Sequence, residues 1–193
     1  HISNSLQDKG DRPSFFYSAS IHGDEPVGYY LMLHLIHYLL NNYATDAQVR
    51  RLVDSVDIWI CPLENPDGTY YTSNNKLGEY PYSIRYNLNY EDLNRAYPQI
   101  GQLGKGGLET EVQDMMLFGN SHNFTMSANF HGGSELVNYP WDTWTSAENP
   151  HADQDWWRLI SRAFADSCHA VDRYYMTDES NGVTEGGDWY VIA

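Results

Sequence analysis

The stretch Ser14-Phe-Phe-Tyr-Ser-Ala-Ser-Ile-His-Gly-Asp-Glu-Pro26 decides how the chain is read. Its first seven residues, Ser14 to Ser20, make a short run of the kind that builds a buried strand. Ile21 to Glu25 interrupts that run, and Pro26 stands where a helix can begin without losing a hydrogen bond. From Val27 to Leu40 the spacing is helical. This apolar run is broken by His34 and His37 and falls short of the ~20 residues a membrane-spanning helix needs, so it reads as a buried amphipathic helix. His34, His37 and Asn41, at i, i+3 and i+7, share one polar stripe and read as a solvated helix face. A strand handing over to a helix through a short turn is the unit of an α/β fold.

The alternation continues downstream. Asp57 to Cys61 reads as a second strand stopped by Pro62, and Glu64-Asn-Pro-Asp-Gly68 is turn chemistry. Thr72 to Gly106, rich in Asn, Tyr, Gly and Pro without a sustained period, is expected to be one long ordered loop, and loops of that length are usually functional. Helical spacing returns from Glu109 to about His122. Thr125 to Phe130 makes a third strand and Leu136 to Tyr139 a short fourth. Asp153 to Ala170 is expected to be a helix with Trp156, Leu159, Ile160 and Ala163 on one side. No repeat, low-complexity tract or linker divides the sequence, so residues 1–193 are expected to form a single domain. The expected architecture is α/β: a mixed, twisted and mostly buried central sheet with helices on both faces.

Composition narrows the partners. Against 11 Lys and Arg stand 26 Asp and Glu, a formal charge of −15. Binding to nucleic acid needs clustered cations that displace counterions, and an anionic membrane surface needs the same, so neither partner is expected. With 41% hydrophobic and 15% aromatic residues the chain has the material for a core. Of its two cysteines, Cys61 lies in the apolar run Ile58-Trp-Ile-Cys61 and reads as a buried thiol rather than half of a bridge to Cys168.

His22 and Glu25 lie three residues apart in the strand-to-helix turn, and His131 follows a later strand. Two imidazoles and a carboxylate are a set that catalytic Zn²⁺ uses while keeping its fourth position open. Donors without thiolate also keep the ion Lewis-acidic. There is no His-Glu-x-x-His helix motif, and His-x-x-Glu alone is a weak signal. The surrounding blocks strengthen it: His22-Gly-Asp-Glu25, Asn65-Pro-Asp-Gly68, Arg85-x-Asn87 with Asp92-Leu-Asn94-Arg95, His131-Gly-Gly-Ser134 with Asn138-Tyr-Pro140, and Asn181-Gly-Val-Thr184 running to Trp189-Tyr190. In these blocks, which span nearly the whole chain in order, the sequence resembles the zinc metallocarboxypeptidases of the funnelin (M14) family. The likeness is greatest to the carboxypeptidase N/E-like branch and its bacterial relatives.

The resemblance implies one Zn²⁺ held by His22, Glu25 and His131, and a hydrolase that removes the C-terminal residue of a peptide or protein. It implies that Asn94 and Arg95 grip the substrate's terminal carboxylate, for which a planar guanidinium is well shaped. Arg85 would stabilise the oxyanion formed at the scissile carbonyl. Asp92 would orient a ligating histidine. Tyr139 and Asp142 would lie on the substrate side, with Asp142, the acidic position after the Asn-Tyr-Pro block, favouring a C-terminal Lys or Arg; the competing reading of Asp142 is a solvated loop aspartate. The family's general-base glutamate and covering tyrosine are expected after Ala193, and further strand and helix before His22. Glu185 is read as a loop residue. A secreted or periplasmic setting is expected. An amidase acting on cell-wall peptides and a non-catalytic peptide-binding homologue remain as alternatives, because the metal ligands do not specify what flanks the bond.

Overall fold

Strand β1 (Ser14–Ala19) is the middle of a three-stranded sheet of order β2-β1-β3, with β2 (Asp57–Cys61) and β3 (Met126–Phe130) both parallel to it. The computed structural model describes residues 1–5, 10–98 and 108–189. These fall into two compact units, residues 1–98 with 108–132 and residues 133–189, described in turn. Residues 99–106 of the expected loop, and Tyr190, lie outside the described residues.

In the first unit strands β1 and β2 are covered on both faces, while Ser127 to Asn129 of the edge strand β3 are exposed. Phe15 pairs with Ile58 and Phe16 with Trp59, so alternate residues face opposite layers. On the Ile58 side, helices α1 (Val27–Asn42) and α2 (Ala47–Ser55) contribute Leu39, Val49 and Val53 to a core shared with Ile2 and Ile58. Ile2 also forms an antiparallel bridge to Ile58, which makes the sheet mixed. On the other side Phe16 stacks on Phe124 and meets Phe118 of helix α4 (Thr110–Ser121), while Trp59 meets Phe118 edge-on. These tilted and edge contacts suit the ring quadrupoles.

Helix α1 buries less than its composition suggests. Gly28, Met32 and Leu39 are buried, whereas Leu31, Leu33, Tyr38 and Leu40 remain exposed, because a helix on a sheet presents one stripe. His34 and His37 are exposed, in keeping with a solvated stripe. Helix α2 has no counterpart among the sequence expectations. It is started by Asp46, whose carboxylate accepts hydrogen bonds from the N–H groups of Gln48 and Val49 at 2.7 and 3.1 Å. Within the expected turn at 64–68, Asn65 caps a short helix α3 (Pro66–Thr69). Cys61 and Cys168 are both free and partly buried.

In the second unit, β4 (Val137–Tyr139) and β5 (Val183–Glu185) form a parallel pair, with Val137 opposite Val183 and Tyr139 opposite Glu185. Helix α5 (Gln154–His169) packs on them through a core of Tyr139, Ala165, Met176 and Val183. The inward stripe of α5 is Trp157, Ser161, Ala165 and Cys168. The side carrying Trp156 and Leu159, 51% and 62% exposed, faces outward, contrary to what its apolar content suggests. Small residues let the helix approach two very short strands closely, which the larger side chains would prevent. Glu185 is likewise no loop residue: it ends β5 and is only 3% exposed. It shares a face with Val183 because residues two apart on a strand point the same way. Among the described residues no helix is long and apolar enough to cross a membrane.

Candidate metal centre

Because β1 and β3 run parallel with Ala19 opposite Phe130, the segments leaving their carboxyl ends emerge side by side. His131 directly follows β3, and His22 and Glu25 lie in the turn after β1. Open α/β sheets place their sites at this end. Glu25 sits between the two imidazoles, with His22 Nδ1 2.9 Å from Oε1 and His131 Nδ1 2.9 Å from Oε2. The two Nδ1 atoms are 3.2 Å apart. Ligand atoms of all three residues lie within 4.8 Å of one another.

This donor set fits a metal ion. Two ring nitrogens and a carboxylate, all able to act as acceptors, crowd a single point, and such atoms repel unless a proton or cation stands between them. Outer partners favour the cation. His22 is 2% exposed and its Nε2 lies 3.2 Å from Asp92 Oδ1, so that with a cation bound Nε2–H can donate to Asp92 and Nδ1 can turn its lone pair to the ion. Asp92 is fixed in turn by Arg85, whose Nε–H donates to Oδ2 at 3.0 Å. Arg85 Nη1 also lies 3.5 Å from Glu25 Oε1, so one guanidinium faces both carboxylates.

These contacts hold the acids ionised. Burial pushes Glu25 upward, but hydrogen bonds from His131, His22 and the Gly132 N–H, with the charge of His22, outweigh it and keep the carboxyl far below the usual range. Burial also opposes ionisation of Asp92; the bond to Arg85 and its charge, helped by His22, prevail and lower it.

The local fold around the site is set in part by groups that lie inside the motif blocks but carry no role in the sequence reading. Asn65 is fully buried; its Nδ2 donates to Ile21 O at 3.1 Å and Arg85 O at 3.4 Å, and its Oδ1 accepts from Gly68 N–H at 2.8 Å. It thus ties the histidine turn to the arginine segment. Gly23 lies in the same junction: a Cβ there would stand 2.2 Å from the Gly68 carbonyl carbon. The Gly132 N–H reaches Glu25 Oε2 at 2.9 Å, and Ser20 Oγ donates to the Glu25 carbonyl at 2.9 Å. In the sequence Asn65 stands out as part of a turn and of a family-like block but without this role, and backbone donors such as Gly132 leave no side-chain signature.

Of the other expected site residues, Asn94 and Arg95 lie on a 3₁₀ turn, Leu93–Arg95, capped by Asp92, which accepts from the Asn94 N–H at 3.0 Å. Leu93 anchors this turn in a core with Ile21 and Val112. Arg95 is exposed and its Nη1 donates to Asn94 O at 3.0 Å. Tyr139 and Asp142 belong to the second unit. Tyr139 is 8% exposed and its hydroxyl is pushed up by burial.

The zinc carboxypeptidase (peptidase M14) family model matches residues 1–193. The chain is 32% identical over 195 residues to carboxypeptidase M of Mus musculus, covering 93% of this chain and 42% of that protein. It is 31% identical over 188 residues to carboxypeptidase SOL1 of Arabidopsis thaliana, covering 93% and 35%. The chain therefore spans less than half the length of these relatives. Among solved structures, carboxypeptidase A from Helicoverpa armigera superposes with a TM-score of 0.70 at 18% identity, over 94% of this chain and 47% of that one, a likeness of fold.

Proposed function

The chain belongs to the zinc carboxypeptidase family, and from that membership we propose that it forms the metal-binding part of a zinc-dependent metallocarboxypeptidase that hydrolyses the C-terminal peptide bond of peptides or proteins. The observation that carries this reading is the meeting of His22, Glu25 and His131, with Asp92 and Arg85 fastened to them. We take both units to be parts of one catalytic domain.

Zn²⁺, when bound by these three side chains, supplies Lewis-acid polarisation and activates water. The protein's own groups do the rest. Asp92 keeps His22 in one tautomer and orientation. Arg85, 35% exposed at its side chain, retains N–H groups beyond those turned to Asp92 and Glu25. These can donate to an oxygen that gains negative charge at the scissile carbonyl. Asn94 and Arg95, on the turn that Asp92 caps, are the groups assigned to the substrate carboxylate, and the guanidinium fork suits two oxygens. Asp142 is the group assigned to a C-terminal Lys or Arg, with Tyr139 assigned to the substrate side as well, and the net charge of −15 favours approach of a cationic chain end. A secreted or periplasmic setting suits such substrates.

The test compares free and C-terminally amidated peptides with the zinc-loaded protein. Arg95→Ala is expected to lower kcat/KM for the free acid and leave the small rate on the amide unchanged. Equal losses on both would remove Arg95 from carboxylate recognition. No zinc-dependent release of the C-terminal residue would remove the assignment itself.

A further inference from the structure

Asp142 sits against Gly186, and its neighbours Trp141 and Trp144 sit against Gly187. A Cβ on Gly186 would stand 1.6 Å from Asp142 Oδ1 and 2.7 Å from its Cγ. A Cβ on Gly187 would stand 2.1 Å from Trp144 O and 2.5 Å from the Trp144 carbonyl carbon. Gly187 N–H donates to Trp141 O at 2.7 Å. The segment 141–144 is therefore pressed onto the Gly186–Gly187 backbone at three points: a hydrogen bond, a carbonyl contact and a carboxylate contact. Atoms do not approach a real side chain so closely, so Asp142 can occupy this place only because residue 186 has no Cβ. Neither glycine has a positive φ, so an alanine here would test space alone and not backbone strain. Elsewhere the contrast is plain, since a Cβ on Gly119 or Gly133 would meet nothing within 4 Å.

We propose that Gly186 and Gly187 are positioning residues for specificity, seating the Asp142 carboxylate where it selects a C-terminal Lys or Arg. This rests on the reading of Asp142 given above. A methyl at 186 displaces the carboxylate by the order of an ångström, and a misplacement of that size in a recognition group costs up to about 100-fold.

The experiment measures, for the zinc-loaded protein, the ratio of kcat/KM for a C-terminal Arg peptide to that for its C-terminal Phe counterpart. Gly186→Ala is expected to lower this ratio about 10–100-fold with zinc per chain unchanged, and Asp142→Asn to lower it comparably. The double variant Asp142→Gly/Gly186→Ala is expected to show no further loss beyond Asp142→Gly, because the methyl then meets no carboxylate. If Gly186→Ala does not fold, the same double variant is expected to recover the circular dichroism and zinc content; failure to recover overturns the proposal. A ratio lowered by Asp142→Asn but untouched by Gly186→Ala removes the glycine inference alone. A wild type without Arg preference, or an unchanged ratio in Asp142→Asn, removes the reading of Asp142 and this inference with it.

Discussion

The turn that carries the proposed metal ligands and the short β4–β5 pair of the second unit are built to different standards. Around the first, each titratable group has a stated partner: Glu25 is contacted by two imidazoles and a backbone N–H, and Asp92 by Arg85, His22 and a backbone N–H. In the second, Glu185 is buried with neither carboxylate oxygen hydrogen-bonded, and the buried indole Nε1 atoms of Trp141 and Trp157 also lack partners among the described residues. Acceptors of like charge are held together at the first site by redundant donors that fix each one twice. The second unit is held by apolar packing and by close backbone approach, and tolerates unpaired polar atoms. A site that must present three side chains to one point needs the former arrangement.

The largest effect that would break this comparison is expected at its centre. Glu25→Ala removes a ligand and the acceptor joining both histidines, and zinc affinity measured by competition with a chelator is expected to fall by more than the ~10–100-fold that loss of an outer partner costs. Asp92→Ala, which removes such an outer partner, is expected to lie within that ~10–100-fold range. Retention of wild-type affinity in Asp92→Ala would show that His22 needs no support.

Next comes a paired test in urea unfolding. Asn65→Ala strands Ile21 O and Gly68 N–H, and each unpaired buried group is expected to cost about 1–3 kcal/mol. Glu185→Leu removes a buried carboxylate that has no partner and is expected to leave stability unchanged or raise it by about 1–3 kcal/mol. Opposite signs sharpen the contrast between the units; a destabilised Glu185→Leu would abolish it.

The smallest effect concerns Glu64, the exception near the first site, whose Oε1 is buried and unpartnered. Burial pushes its pKa up, against a hydrogen bond from Ser18. The folded protein then keeps a proton that the unfolded chain releases above pH about 4.3. Its contribution to stability therefore falls as pH rises from there to the folded value. Glu64→Gln is expected to gain stability over wild type above that window and to show no gain below it; a gain independent of pH would point to packing instead.

The grouping of His22, Glu25 and His131 was legible because the chemistry of such a set is written in side-chain type and in strand-end position. His22 and Glu25 occupy one turn, and His131 is reached through the parallel register of β1 and β3. Strands β1 to β4 and three of the long helices followed from the sequence pattern, whereas β5 did not. Helix α2 did not, although Asp46 followed by Val49, Leu52 and Val53 carries a cap and an apolar i, i+3, i+4 pattern. The inward face of α5 cannot be read from apolar content for a physical reason: Trp156 and Leu159 are the more apolar and lie outward, while Ser161 and Ala165 are the buried positions. Hydrophobicity reports preference for the interior and says nothing of the space available there. The Gly132 donor, the double role of Asn65 and the seating of Asp142 on Gly186 belong to backbone geometry, which no residue pattern spells out.

The register that aligns Ala19 with Phe130 also has a kinetic meaning. Glu25 and His131 are 106 residues apart in the chain, so the complete ligand set exists only after that long loop has closed, at an entropic cost set largely by closure itself. An ion added to a refolding chain meets at most the local His22–Glu25 pair until then. Zinc should accordingly act as a brake on escape from the native state, slowing unfolding while leaving the refolding rate nearly as it was.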